Sequence, residues 1–273
     1  ISVMTVGGGF NKSKKWKNSS ISFNTSYINL KPYYLLAPQS LDWNKAPESI
    51  AGETVFRTKI KNGLLKVYAA FENSSMNLNQ KDVNYTDKIK FGLINNNFYI
   101  NSVYKGNVAP SLQLQTGFSF GYGNNKIGIN TDKLNNYERA LHYKLKLRKT
   151  FSNMLKWNVG GEFFHTNFNE NYQAFSQYRV DYGYQNNTVA LFTEAEVFLS
   201  QNLAFNLGLR SSNASIVDEF TLEPRVSVAY KIAKKSQLSL AYGSFYQTAN
   251  PDYLKFTQNL KYENTNHYIL NYL

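Results

Sequence analysis

Apolar and polar residues alternate with a period of two along nearly the whole chain, the spacing of strands with one face on each side of a sheet. In residues 140–149, Leu141, Tyr143, Leu145 and Leu147 fall on one face, and His142, Lys144, Lys146 and Arg148 on the other. In residues 222–232, Leu222, Val226, Val228, Tyr230 and Ile232 oppose Glu223, Arg225, Ser227, Ala229 and Lys231. Leu238, Leu240, Tyr242 and Tyr246 alternate with Ser239, Ala241 and Gly243, and Leu112, Leu114, Phe118 and Phe120 with Gln113, Gln115, Gly117 and Ser119. Helical spacing is not sustained over a useful length anywhere. The pattern predicts an all-β, antiparallel chain.

The alternating segments run mostly 9–14 residues, longer than the ~5–6 typical of soluble strands and enough for the ~9–11 tilted residues of a membrane strand. Short connections are expected at residues 61–63, 105–110, 150–153, 200–202 and 233–235. They alternate with long ones at 31–50, 73–87, 123–136, 169–186, 211–220 and 248–261. The long ones hold most of the Pro and much of the Asn, Asp and Ser, as exposed loops do. Outer-membrane barrels segregate short periplasmic turns from longer outside loops in this way. The count is about thirteen strands, from residues 1–10 through 262–273. Bacterial single-chain barrels have even strand numbers, and a sheet edge open to hydrocarbon is not viable. The expectation is therefore a partial transmembrane barrel, residues 1–273 forming part of a larger wall.

Composition fits this picture. The 273 residues include 21 Tyr and 19 Phe, but only 18% are charged, against about 25% in soluble domains. The longest apolar runs, such as residues 33–37 and 67–71, span five residues, far below the ~20 of a membrane helix. There is no Cys, hence no disulfide framework or thiolate metal site. Mean hydropathy is −0.45, which a barrel tolerates because half of each strand and all loops are polar. The chain opens at Ile1 in a strand-like run without a readable leader, so a mature product or a fragment is expected. With apolar side chains toward lipid, Leu141, Tyr143, Leu145 and Leu147 face outward. His142, Lys144, Lys146, Arg148, Glu194, Glu196, Arg225 and Lys231 are then expected to face the lumen. Tyr and Phe would supply the interfacial girdles.

The stretch 222–273 carries Glu223-Pro224-Arg225 opening a strand, a short turn at Lys234-Lys235, Tyr242-Gly243-Ser244-Phe245, then Gln247, Pro251, Leu260, Tyr262-Glu263 and His267-Tyr268. Upstream stand Asp42-Trp43-Asn44-Lys45, Pro47-Glu48-Ser49 and Val55-Phe56-Arg57. These pieces, about a quarter of the chain, resemble the barrel domain of TonB-dependent outer-membrane receptors. The resemblance implies a barrel of about 22 strands with a plugged lumen in the outer membrane of a Gram-negative cell. It also implies an N-terminal plug, an energy-coupling partner of the TonB type in the inner membrane, and uptake of a scarce solute such as a metal chelate, glycan or peptide. Plug and coupling box are not recognisable here. The chain stops at Tyr272-Leu273, where the family's barrels usually finish on an aromatic residue. A passive porin-like barrel, or a soluble carbohydrate-binding module, remain the alternatives.

Other chemistry is sparse. Val6-Gly7-Gly8-Gly9 with Lys12-Ser13 lacks the glycine spacing and following helix of a phosphate loop. Gly121-Tyr122-Gly123 has Lys126 where a dinucleotide fingerprint has its third glycine. His142, His165 and His267 are far apart, with no pair at metal-ligand spacing. Glu194 and Glu196 share a strand face within about 7 Å, but read as lumen carboxylates meeting basic neighbours or a plug. No nucleophile elbow occurs. No enzymatic activity, metal or cofactor is expected. The formal net charge of +12 raises a nucleic-acid reading, but the basic residues are dispersed over turns and one strand face. Solute contact is expected from loop aromatics, namely Tyr33, Tyr34, Trp43, Tyr246, Tyr253 and Phe256, whose flat faces could stack on rings.

Overall fold

The computed structural model describes residues 6–36, 42–84, 86–175, 178–257 and 259–273. Among these residues, thirteen strands form one antiparallel sheet in strict sequence order. They are β1 (Val6–Lys15), β2 (Ser19–Asn29), β3 (Asp42–Ile60), β4 (Gly63–Gln80), β5 (Ile89–Ala109), β6 (Leu112–Ile129) and β7 (Asp132–Thr150), then β8 (Leu155–Ala174), β9 (Tyr178–Phe198), β10 (Leu203–Ala214), β11 (Glu223–Ala233), β12 (Ser236–Gln247) and β13 (Glu263–Tyr272). Two short helices, α1 (Lys31–Leu36) and α2 (Pro251–Leu254), lie in the β2–β3 and β12–β13 connections. Among the described residues, β1 pairs only with β2 and β13 only with β12, so the sheet is a curtain with two free edges. The expected strand number is met; the expected start at residues 1–5 lies outside the described residues.

Short and long connections alternate as expected only toward the two ends of the sheet; from β5 to β10 five successive connections are two to four residues long. Residues 123–136 are not a loop: β6 and β7 pair down to Ile129–Asp132, leaving a two-residue turn at Asn130-Thr131. Asn130 adopts φ 55° there, a left-handed conformation that Asn tolerates better than most residues. Residues 169–186 are likewise mostly strand, because β8 and β9 pair as far as Ala174–Tyr178. The strands β3 to β9 are accordingly 18–21 residues long rather than 9–14. The cause is visible in the side chains. The Asn residues that signal loops instead bridge neighbouring strands: Asn95 donates to Asn125 at 2.5 Å, and Asn73 bonds Asn96. At ~3.3 Å per residue these strands reach about 60 Å, twice the ~30 Å hydrocarbon thickness.

No central hydrophobic core exists among the described residues; the larger apolar side chains stand exposed on one face. Leu114 opposes Leu147, which opposes Val159, and Phe118 opposes Tyr143, which opposes Phe163. Leu191 is 66% exposed and Leu240 50%. The sheet is therefore held by its backbone ladder and by side-chain pairs across strands.

Candidate functional site

The register sorts the other face into rows of directly opposed residues. Row one runs Lys59–Leu64–Lys105–Gln115–Lys146–Gly160–Phe192–Arg210–Glu223. Row two, two residues farther from the short turns on β3, runs Lys15–Ser20–Arg57–Lys66–Val103–Gly117–Lys144–Glu162. Farther toward the long-connection end come Asn24–Glu53–Ala70–Tyr99–Gly121 and Ser26–Ala51–Glu72–Asn97–Gly123–Glu138–Phe168. Charge thus changes sign along β3 to β7: basic near the short turns, acidic toward the long connections.

Across β7 to β11 the rows knit into an ion network. Glu162, its side chain 8% exposed, accepts from Lys144 at 2.5 Å and from Arg210. Arg210 also approaches Glu223 at 3.8 Å, and Arg225 donates to Glu223 at 2.9 Å. Arg148 donates to Glu196 at 2.6 Å. Asn158, fully buried, reaches Glu194 at 3.4 Å and Glu196 at 3.3 Å. His142 stacks on Phe164, ring centroids 4.0 Å apart, with its Nε2 3.9 Å from Glu162. Each buried carboxylate therefore has a donor, which is what buried charge requires. Nearer the long connections, a trough of about 700 Å³ is lined by Glu53, Glu72, Glu138, Tyr68, Tyr99 and Asn97. Tyr68 donates to Glu53 at 3.1 Å there.

The β12–β13 connection folds back over this polar face. Asn250 caps α2 by accepting from the Asp252 N–H, which seats Pro251 in the first turn. Leu254, 3% exposed, packs with Tyr184 and Ala249, flanked by Phe168, Ile216 and Leu260. Lys255 pairs with Glu170 at 3.0 Å, and Phe256 meets Tyr182 edge-on at 4.7 Å. Tyr262 accepts from the Ala214 N–H at 2.7 Å and donates to the Glu219 carbonyl at 3.2 Å. Burial pushes its phenol pKa above the ordinary value of 10.0. The connection is a strap, pinned at Leu254, Lys255 and Tyr262.

A family model described as TonB dependent receptor-like, beta-barrel, matches residues 15–270. The chain belongs to this family. No curated protein sequence matches it. Among solved structures, the RagAB peptide transporter superposes with a TM-score of 0.73 at 9% identity, covering 98% of this chain and 42% of that one. The ferric enterobactin receptor PfeA from Pseudomonas aeruginosa gives 0.70 at 10% identity, covering 98% and 48%. The copper transporter OprC gives 0.70 at 10%, covering 98% and 50%. At such identities the likeness is one of fold. The chain spans half or less of the length of these structures. As a member of this family it is a transmembrane barrel segment of the outer membrane.

Within this receptor-barrel sheet, His142, Lys144, Lys146, Arg148, Glu194, Glu196, Arg225 and Lys231 all lie on the polar face. The geometry joins Lys144, Arg148, Glu194, Glu196 and Arg225 to the network; among the described residues Lys146 and Lys231 have no ion-pair partner. The aromatic candidates do not converge. Tyr34 stacks on Trp43 at 5.2 Å with Tyr33 edge-on at 5.6 Å, so part of this trio's ring surface is taken by its own neighbours. Burial also raises the Tyr34 phenol pKa. Tyr246 lies on the apolar face, edge-on to Tyr262 at 6.2 Å. Tyr253 is 64% and Phe256 62% exposed on the strap. Sequence reasoning missed Glu162, Arg210 and Glu223 as the centre of the network, and missed the acidic trough. Strand parity alone puts Glu162 with Lys144 once β7–β8 register is known, and the four-residue turn 151–154 fixes that register.

Proposed function

We propose that this sheet is part of the barrel wall of an energy-coupled receptor that imports a scarce solute, a metal chelate, glycan or peptide, across the outer membrane. The family match over residues 15–270 carries this reading. A sheet with one apolar and one charged face supports it, because a barrel wall meets lipid outside and a polar lumen inside. Residues 1–273 then form a wall segment of one barrel domain, and the free edges at β1 and β13 are satisfied by further strands, since hydrocarbon tolerates no open edge. The apolar face meets lipid. His142, Lys144, Lys146, Arg148, Glu194, Glu196, Arg225 and Lys231 line the lumen beside a plug domain. Tyr33, Tyr34, Trp43, Tyr246, Tyr253 and Phe256 stand toward the outside, Tyr253 and Phe256 being the best placed to stack on cargo. The wall performs no bond chemistry. Energy for plug rearrangement comes from a TonB-type complex.

The test is genetic. A strain lacking the whole receptor is grown with iron chelate, oligosaccharide or peptide as the limiting supply. Growth should fail on one of them, and restoring the receptor should rescue it only when the coupling complex is intact. Unchanged growth on all three, or rescue without coupling, overturns the proposal.

A further inference from the structure

The two basic rows contain cations with no counter-charge. Arg57 and Lys66 stand directly opposite each other on β3 and β4, about 5 Å apart at Cα. Like charges so placed repel and weaken the pairing. Lys15 lies in the same row, one strand beyond Ser20. Lys59 is two residues from Arg57, and Lys105 is two residues from Val103, which faces Lys66. All five are exposed. Among the described residues none of the five forms an ion pair. The first carboxylate beyond Arg57 on this face of β3 is Glu53, four residues away, about 13 Å along the strand, and it takes the Tyr68 hydroxyl.

Elsewhere on this face several cations are answered, Lys144 and Arg210 by Glu162, Arg148 by Glu196 and Lys255 by Glu170, while Lys146 and Lys231 stand singly without an ion-pair partner among the described residues. What sets the β1–β5 corner apart is that its unpaired cations are grouped, two of them directly opposed, so the corner is incomplete as it stands. Its five cations lie on β1, β3, β4 and β5, a breadth of about 19 Å from β1 to β5 at the usual strand spacing. One small anion cannot meet them all, whereas carboxylates spaced along a polypeptide can. We propose that this corner docks an acidic protein surface, with Asp and Glu side chains set against Lys15, Arg57, Lys59, Lys66 and Lys105. The inference rests on the lumen assignment above and names the charge of the occupant that the assignment leaves open. Neutralisation by that occupant removes the Arg57–Lys66 repulsion, so docking stabilises the wall as well as the partner.

The intact receptor in native membranes is treated with a zero-length carbodiimide, which joins a lysine amine only to a carboxylate in contact with it, and digested for mass spectrometry. Lys59, Lys66 and Lys105 should appear joined to Asp or Glu of a polypeptide segment lying outside the thirteen strands. In a parallel arm, an amine-acetylating reagent should modify these lysines poorly at low salt and fully at about 1 M salt, where charge contacts are screened beyond about 3 Å. Lys234, in the β11–β12 turn, is the exposed reference. An Arg57→Gln, Lys66→Gln receptor should lose the cross-links at Lys59 and Lys105 while inserting normally. Free lysines at low salt with no cross-link overturn the proposal. So does shielding that appears only when tripolyphosphate is added, which would mark a soluble anion as the occupant. A receptor that passes the growth test but yields no cross-link keeps the proposed function and loses this docking site.

Discussion

Glu162 is charged in a place where charge is expensive, and two strands supply the reason it stays. Its carboxylate is nearly enclosed, with Lys144 from β7 on one side and Arg210 from β10 on the other. Removing one partner of such a pair leaves buried cations behind, a loss of about 3–5 kcal/mol when both groups are dry. Lys144 is 38% exposed and Arg210 keeps Glu223 at 3.8 Å, so Glu162→Ala should cost less, about 2 kcal/mol by the measure for an orphaned polar partner. Thermal unfolding of the detergent-solubilised receptor checks this, with Lys146→Ala as control. Lys146 shares the face but has no such partner, so its variant should melt with the wild type. A larger loss at Lys146 than at Glu162 would mean the network is wrongly centred.

At the level of elements, strand type and order were legible because the period of two needs no knowledge of neighbours. Strand ends were not. Asn124, Asn125, Asn135 and Asn136 read as a loop by composition, yet they extend β6 and β7 as paired residues. A polar strand standing beyond the membrane has no apolar face to mark it, and Asn125 accepts from Asn95 across the ladder instead of bonding to a turn. The strap was illegible for a different reason: Leu254 and Lys255 find partners on β8 and β9, some 70–85 residues away. These contacts make the strap testable as a unit. Leu254→Ala removes its most buried anchor, a change that costs about 2–5 kcal/mol in a packed site. Here that cost should fall on strap docking rather than on the sheet. Hydrogen exchange should speed over residues 249–257 while the β8–β9 ladder keeps its protection. Strap docking should also depend on pH at the alkaline end. Tyr262 has a raised phenol pKa in the folded state, so its contribution is complete below the ordinary value near 10. That contribution fades as pH climbs through the raised value, because the released strap ionises first. Exchange over 249–257 should rise with pH there beyond its intrinsic acceleration, and Tyr262→Phe should abolish the excess.

For the whole molecule, the two faces were legible because strand parity is a local pattern, whereas the expected alternation of connection lengths fails from β5 to β10, where paired strand had read as loop. Which charges meet could not be read, since Arg148 finds Glu196 only through the register of β7, β8 and β9. Nor could the change of charge sign along the polar face, which emerges only when rows from seven strands are aligned. Leu145 and Lys146 bring the whole argument to one point. They are adjacent on β7, one on the apolar face against Thr116, the other on the polar face against Gln115. If the sheet is a membrane wall, a single residue step carries a side chain from lipid to water. Cysteines placed singly at these positions in the intact receptor, in a chain with no cysteine of its own at residues 1–273, should therefore behave oppositely. A membrane-impermeant maleimide should label Lys146→Cys, more fully once the proposed occupants of the lumen are loosened by salt. It should leave Leu145→Cys unmodified, and a bilayer-soluble maleimide should reverse the preference. Leu147→Cys and Arg148→Cys, one turn-ward step along the same strand, should repeat the alternation. Equal labelling of Leu145→Cys and Lys146→Cys from water would remove the two-faced wall, and with it both the lumen network and the docking corner as parts of a transport pathway.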